Sequence, residues 1–184
     1  MIDRQRQSRI LKTACLAIVA AIALGNAPAD AQSGDSWDCD ADNGRFAENP
    51  QPLSSGAHVL SGQIRFDAGH LGEWGPVAHI GFAERTADGR NCDCAGLLAM
   101  IYSQQPDIVT FFIEANGQKV GIAQAPLGRP ITFRLSLDGA GGFTAQVGKT
   151  TPQVKSFKLR KPLRNTMHMS CSSAAVSFLG MQLR

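Results

Sequence analysis

IVTFFIEANGQKVGIAQ, residues 108–124, decides how this chain folds. Two strand-like runs flank Asn116-Gly117, and Asn-Gly supplies the two positive-φ positions that a type I′ turn requires. The stretch therefore reads as a tight antiparallel hairpin. Just beyond it, ITFRLSLD (131–138) alternates cleanly, with Ile131, Phe133, Leu135 and Leu137 on one face and Thr132, Arg134, Ser136 and Asp138 on the other. Gly139-Ala140-Gly141-Gly142 then turns the chain into FTAQVG. Upstream, HVLSGQIRF sets Leu60, Gly62, Ile64 and Phe66 against Gln63 and Arg65, and VAHIGFAE sets Ala78, Ile80 and Phe82 against His79. LLAMIYS (97–103) and IVTFFIE (108–114) are apolar on both faces, which predicts central strands covered on both sides. With the runs at 153–160, 166–171 and 175–183, the period-two pattern predicts about ten strands in an all-β antiparallel sandwich or barrel. No helical period and no fixed-length repeat competes with it.

The N-terminal stretches read differently. Residues 1–31 carry Arg4, Arg6, Arg9 and Lys12, then the apolar run ACLAIVAAIAL (14–24), then Ala29-Asp30-Ala31. That is the order of a secretory signal peptide, cut before Gln32, and its apolar run is short for a membrane span. The expectation is an exported protein, periplasmic or secreted, with no integral span after cleavage. Residues 32–56, dense in Asp, Asn, Gly, Pro and Ser, read as a loop-rich segment, leaving 57–184 for the sandwich.

Export makes disulfides available to Cys39, Cys92, Cys94 and Cys171. Four cysteines allow three connectivities. The pairing favoured here joins Cys39 to Cys171, because first and last strands of sandwiches often lie together. Cys92 with Cys94 would follow, in a small ring that is its weak point. Zinc would need further ligands at C-x₂-C-like spacing, and none is present.

Charge is unevenly spread. Residues 32–118 hold twelve acidic and four basic residues, whereas 119–184 hold one acid, Asp138, and ten bases. The near-neutral sum gives no case for nucleic acid. The basic strip Lys149, Lys155, Lys158, Arg160, Lys161 and Arg164 reads first as a solvated face, second as a contact for an anionic polysaccharide or membrane surface.

PITFRLSLDGAGGFTAQVG, the ANGQKVGIAQAPLGRP hairpin before it, and the closing MSCSSAAVSFLGMQL together resemble the concanavalin A-like lectin/glucanase jelly rolls, a group that includes laminin-G-like domains. The resemblance spans residues 57–184 and rests on pattern. It implies a jelly-roll sandwich and a role in handling glycans. The glucanase strand E-x-D-x-E is missing, and Glu48, Glu73, Glu84 and Glu114 have no acidic partner at i+2. Glycoside hydrolysis needs paired carboxylates, so the expectation is a non-catalytic carbohydrate-binding or cell-envelope interaction module. A polysaccharide hydrolase or lyase and a structural envelope protein are the alternatives. Related alginate lyases use Arg-, His- and Tyr-bearing strands, and Arg65, His79 and Tyr102 match these in residue type only.

The candidate ligand residues are Arg65, Trp74, His79, Tyr102 and Arg134. Arg65, His79 and Arg134 all face away from their apolar neighbours. On one sheet they would suit a uronate or sulfate, because guanidinium groups grip carboxylates in bidentate fashion. Trp74 and Tyr102 offer rings for stacking. Asp38, Asp40 and Asp42 alternate as hard oxygen donors in a possible calcium loop, but Asn43 stands where an EF-hand needs glycine and Asn49 where it needs glutamate. No other cofactor is expected.

Overall fold

The computed structural model describes residues 35–54, 56–72, 75–85, 92–161, 163 and 166–184. Twelve strands make up all of the regular structure there: β1 (Asp35–Asp40), β2 (Phe46–Pro52), β3 (His58–Gly69), β4 (Val77–Arg85), β5 (Cys92–Tyr102), β6 (Gln105–Ala115), β7 (Gln118–Pro126), β8 (Ile131–Leu137), β9 (Gly142–Val147), β10 (Gln153–Lys158), β11 (Thr166–Ser172) and β12 (Ala174–Leu183). They form two antiparallel six-stranded sheets. Sheet A runs β1-β12-β3-β8-β9-β10 and sheet B runs β2-β11-β4-β5-β6-β7. The hairpin that opened the reading is β6–β7, and its turn residues Asn116 and Gly117 have φ of 55° and 74°.

The count exceeds the expected ten because β1 and β2 lie inside the stretch whose composition reads as loop. Tertiary partners overrule that composition. β1 pairs with β12 and β2 with β11, so each adds a strand beside the C-terminal pair. Trp37 stacks on Phe178 with centroids 5.3 Å apart. Cys39 on β1 is bonded to Cys171 on β11, joining the two sheets across a sequence separation of 132. Cys94 is also disulfide-bonded; the side chain of Cys92, its expected partner, lies outside the described residues. So do the whole of 1–34, and with it the expected signal peptide.

The strand character of β1 also bears on the calcium loop. Asp38 and Asp40 sit two apart on an extended strand and are exposed, an arrangement that does not curl carboxylates around an ion. Among the described residues no group of three or more His, Cys, Asp or Glu side chains converges as a metal site.

Between the sheets, period-two alternation fills one core. Phe66, Phe82, Phe111, Phe133, Phe143 and Phe178 are fully buried there, each worth roughly 1.5–3 kcal/mol by area removed from water. The chain changes sheets between β11 and β12 through Ser173, which is buried with φ of 51° and accepts a hydrogen bond from the Gly44 amide at 2.9 Å.

The outer faces differ. Sheet A turns out Gln63, Arg65, Thr132, Arg134, Ser136, Thr144 and Gln146, all exposed or half-buried. Sheet B is covered at its centre. Leu98 on β5 points away from the core yet is only 6% exposed, and it borders one recess with Leu159 and Leu163 of the stretch between β10 and β11.

Candidate functional site

The covered part of sheet B encloses a cavity of about 560 Å³, within the size range of small-ligand sites. Strand parity builds its floor. His79 on β4 stands opposite Leu98 on β5, and His168 reaches in from β11, the other neighbour of β4. The imidazoles lie 5.7 Å apart, tilted by 40°. Gly81 and Gly96 face each other across β4 and β5, and a Cβ at Gly96 would come within 2.9 Å of His79 Nε2. Glycine at 96 is what lets the His79 ring lie down on the sheet.

The far wall hangs on the turn. Asn116 adopts the left-handed conformation that the hairpin needs, and its side chain does a second job. Nδ2 donates to the Lys158 carbonyl at 3.0 Å, and Oδ1 accepts from the Arg160 amide at 2.9 Å. This clamp fixes the path of the segment that brings Leu159, Arg160, Lys161 and Leu163 to the cavity. Glu114, two residues before the turn pair, completes that side.

Electrostatically the two histidines differ. His168 Nε2 lies 3.2 Å from a Glu48 carboxylate oxygen. His79 is 9% exposed and its Nε2 has no hydrogen-bond partner among the described residues. Burial, then repulsion from His168 and Lys119, lowers its pKa to about 3. At neutral pH His79 is an uncharged imidazole.

The expected row of Arg65, His79 and Arg134 is not assembled. Arg65 on β3 and Arg134 on β8 belong to the outer face of sheet A, while His79 and Tyr102 belong to the outer face of sheet B, on the opposite side of the molecule. Arg65 bonds Asp67 on its own strand, at 2.5 Å through Nε, and Ser177 across on β12 at 3.2 Å, so its guanidinium is engaged on sheet A. Arg134 is exposed, opposite Ser61 and Gln146. Tyr102 is 41% exposed at the end of β5 and does not line the cavity. Trp74 lies outside the described residues. Of the four candidates among the described residues, His79 alone reaches this cavity. His168 escaped the sequence reading, Asn116 was read only as a turn residue and Arg160 only as part of the basic strip, because the adjacency of β4 with β11 and the approach of Arg160 to sheet B are not local properties.

No protein-family model matches the sequence, and no curated protein matches it. Solved structures do. An alginate lyase from Pseudomonas aeruginosa superposes with a TM-score of 0.51 at 12% identity, over 71% of this chain and 65% of that one. A SAP-like pentraxin from Limulus polyphemus gives 0.51 at 11% identity, over 82% of this chain and 76% of that one. The fold is that of the concanavalin A-like jelly rolls. A carbohydrate-binding module from Bacillus subtilis lies further off, at 0.45 and 15% identity over 80% of this chain and 85% of that one, too distant to carry an argument. This chain spans about two thirds of the lyase. At these identities the likeness concerns the fold, and function has to come from the site. No helix among the described residues is long and apolar enough to cross a membrane.

Proposed function

We propose that this protein is an exported, non-catalytic carbohydrate-binding or cell-envelope interaction module whose site is the cavity on sheet B. Residues 1–31 act as the signal peptide in this reading, and the Cys39–Cys171 disulfide agrees with an oxidising destination. The observation that carries the reading is the cavity itself: a covered recess walled by Leu98, Leu159 and Leu163, with a neutral imidazole, an amide and charged groups distributed around it. Apolar walls with a few placed polar groups suit a small ligand.

Binding is favoured over turnover on chemical grounds. An imidazole with a pKa of about 3 is a weak proton acceptor at neutral pH. The described cavity walls carry one carboxylate, Glu114, and glycoside hydrolysis requires two. A glycan array probed with the purified protein tests binding, and reducing-sugar release together with the absorbance of unsaturated products tests turnover. Array binding without turnover is the expected result. Turnover would replace the binding module with a hydrolase or lyase, and silence in both assays would leave a structural envelope role.

A further inference from the structure

We infer that the cavity's ligand is an acidic saccharide, a uronate-bearing unit whose carboxylate is held by Arg160 while a ring hydroxyl meets His79. This rests on the carbohydrate-binding reading of the same site and narrows it to one chemical class.

A buried imidazole nitrogen and an exposed guanidinium border the same recess. On the floor, His79 Nε2 and the neighbouring His168 Nδ1 are buried with no hydrogen-bond partner among the described residues. A buried polar atom without a hydrogen bond is expensive, on the order of 1–3 kcal/mol, and is retained where something fills the gap. A neutral imidazole exchanges one hydrogen bond with a hydroxyl and suits a sugar better than a second charge. On the wall, Arg160 is fixed in place through its backbone, since its amide donates to Asn116 Oδ1. Its side chain is exposed and has no partner among the described residues. A guanidinium that closes no ion pair of its own is free to take a carboxylate in the bidentate geometry that Arg favours.

The surroundings add positive charge. Lys161 lines the same recess, and Lys119 is close enough to repel a proton from His79. Against these stand Glu114, directly opposite Lys119 across β6 and β7, and Glu48. Glu48 is engaged with His168, and Glu114 lines the recess without closing an ion pair with Arg160 among the described residues. Arg65 and Arg134, the guanidinium groups that the sequence alone suggested for this task, lie on the other face of the sandwich.

The test is calorimetric titration of the protein, expressed from its full-length sequence, with tetragalacturonate and with the same oligomer fully methyl-esterified. The free acid should bind at least tenfold more tightly than the ester, and more weakly as salt is raised. Arg160→Gln should lose about tenfold on the acid form, about 1.4 kcal/mol, with no change on the ester and an unchanged melting temperature. Arg134→Gln, on the opposite face, should change neither. Equal affinity for acid and ester, or indifference of the acid form to Arg160→Gln, overturns the acidic assignment while the carbohydrate reading stands. Sensitivity to Arg134→Gln instead moves the acid site to sheet A and also overturns it. If neither oligomer binds, the acidic assignment fails, and the glycan array then decides separately whether neutral sugars bind.

Discussion

Replacing His79 with leucine should remove an acid-sensitive element from the fold. In the folded protein the His79 pKa is lowered from 6.5 to about 3, first by burial, then by His168 and Lys119. In the unfolded chain it returns to about 6.5. Between those values the unfolded state binds the extra proton, so stability rises with pH there and is lost as pH falls. The contribution is fully present above pH 6.5. By pH 5 the linkage relation gives a loss of about 2 kcal/mol, and the full depression, at 1.36 kcal/mol per unit, sets an upper value on the order of 5 kcal/mol near pH 3. His79→Leu should flatten this limb. Near pH 7.5 the variant should match or exceed the wild type, because leucine suits a site beside Leu98 and leaves no unpaired Nε2. Urea unfolding of both proteins at pH 7.5, 6.0 and 5.0 supplies the comparison. Contributions from groups distant from His79, present in both proteins, largely cancel in the difference. Parallel pH profiles for the two proteins would show that His79 is not buried in its neutral form, and the reasoning would fail at its first step.

Other perturbations reach different parts of the argument. Cys39→Ala with Cys171→Ala releases a link of sequence separation 132; chain entropy puts the loss at about 5 kcal/mol, and denaturant midpoints showing under about 1 kcal/mol would mean the sheets do not depend on it. Asn116→Gly keeps the positive φ of the turn but drops the hydrogen bonds to Lys158 and Arg160. It should cost roughly 1–3 kcal/mol in urea unfolding and weaken saccharide binding in titration more than its stability effect explains. Gly96→Ala drives a methyl group to within 2.9 Å of His79 Nε2 and against the Ile80 carbonyl, so its melting temperature should fall by several degrees, corresponding to about 1–3 kcal/mol. Arg65→Ala removes a partly exposed pair with Asp67, and the urea unfolding midpoint should barely move, since exposed pairs are screened by solvent.

Local chemistry determined much of this protein directly from its sequence. Asn116-Gly117 specifies its turn because few residues accept two consecutive positive φ values, and ITFRLSLD specifies its inward face because side chains alternate along any strand. Those two rules reach the strands from β3 to β12 and the all-β class without knowledge of any partner. β1 and β2 escaped them, since an edge strand with one paired side tolerates Asp, Asn and Pro, and only β12 and β11 beside them make those residues strands. The site was less legible still. Parity correctly sent His79 away from Ile80 and Phe82, yet the same parity sent Arg65 and Arg134 outward too, and period two cannot say from which sheet. Which strands become neighbours is set by long-range pairing, and that alone put His168 beside His79, carried Arg160 across to sheet B, and left the two arginines on the far side of the sandwich.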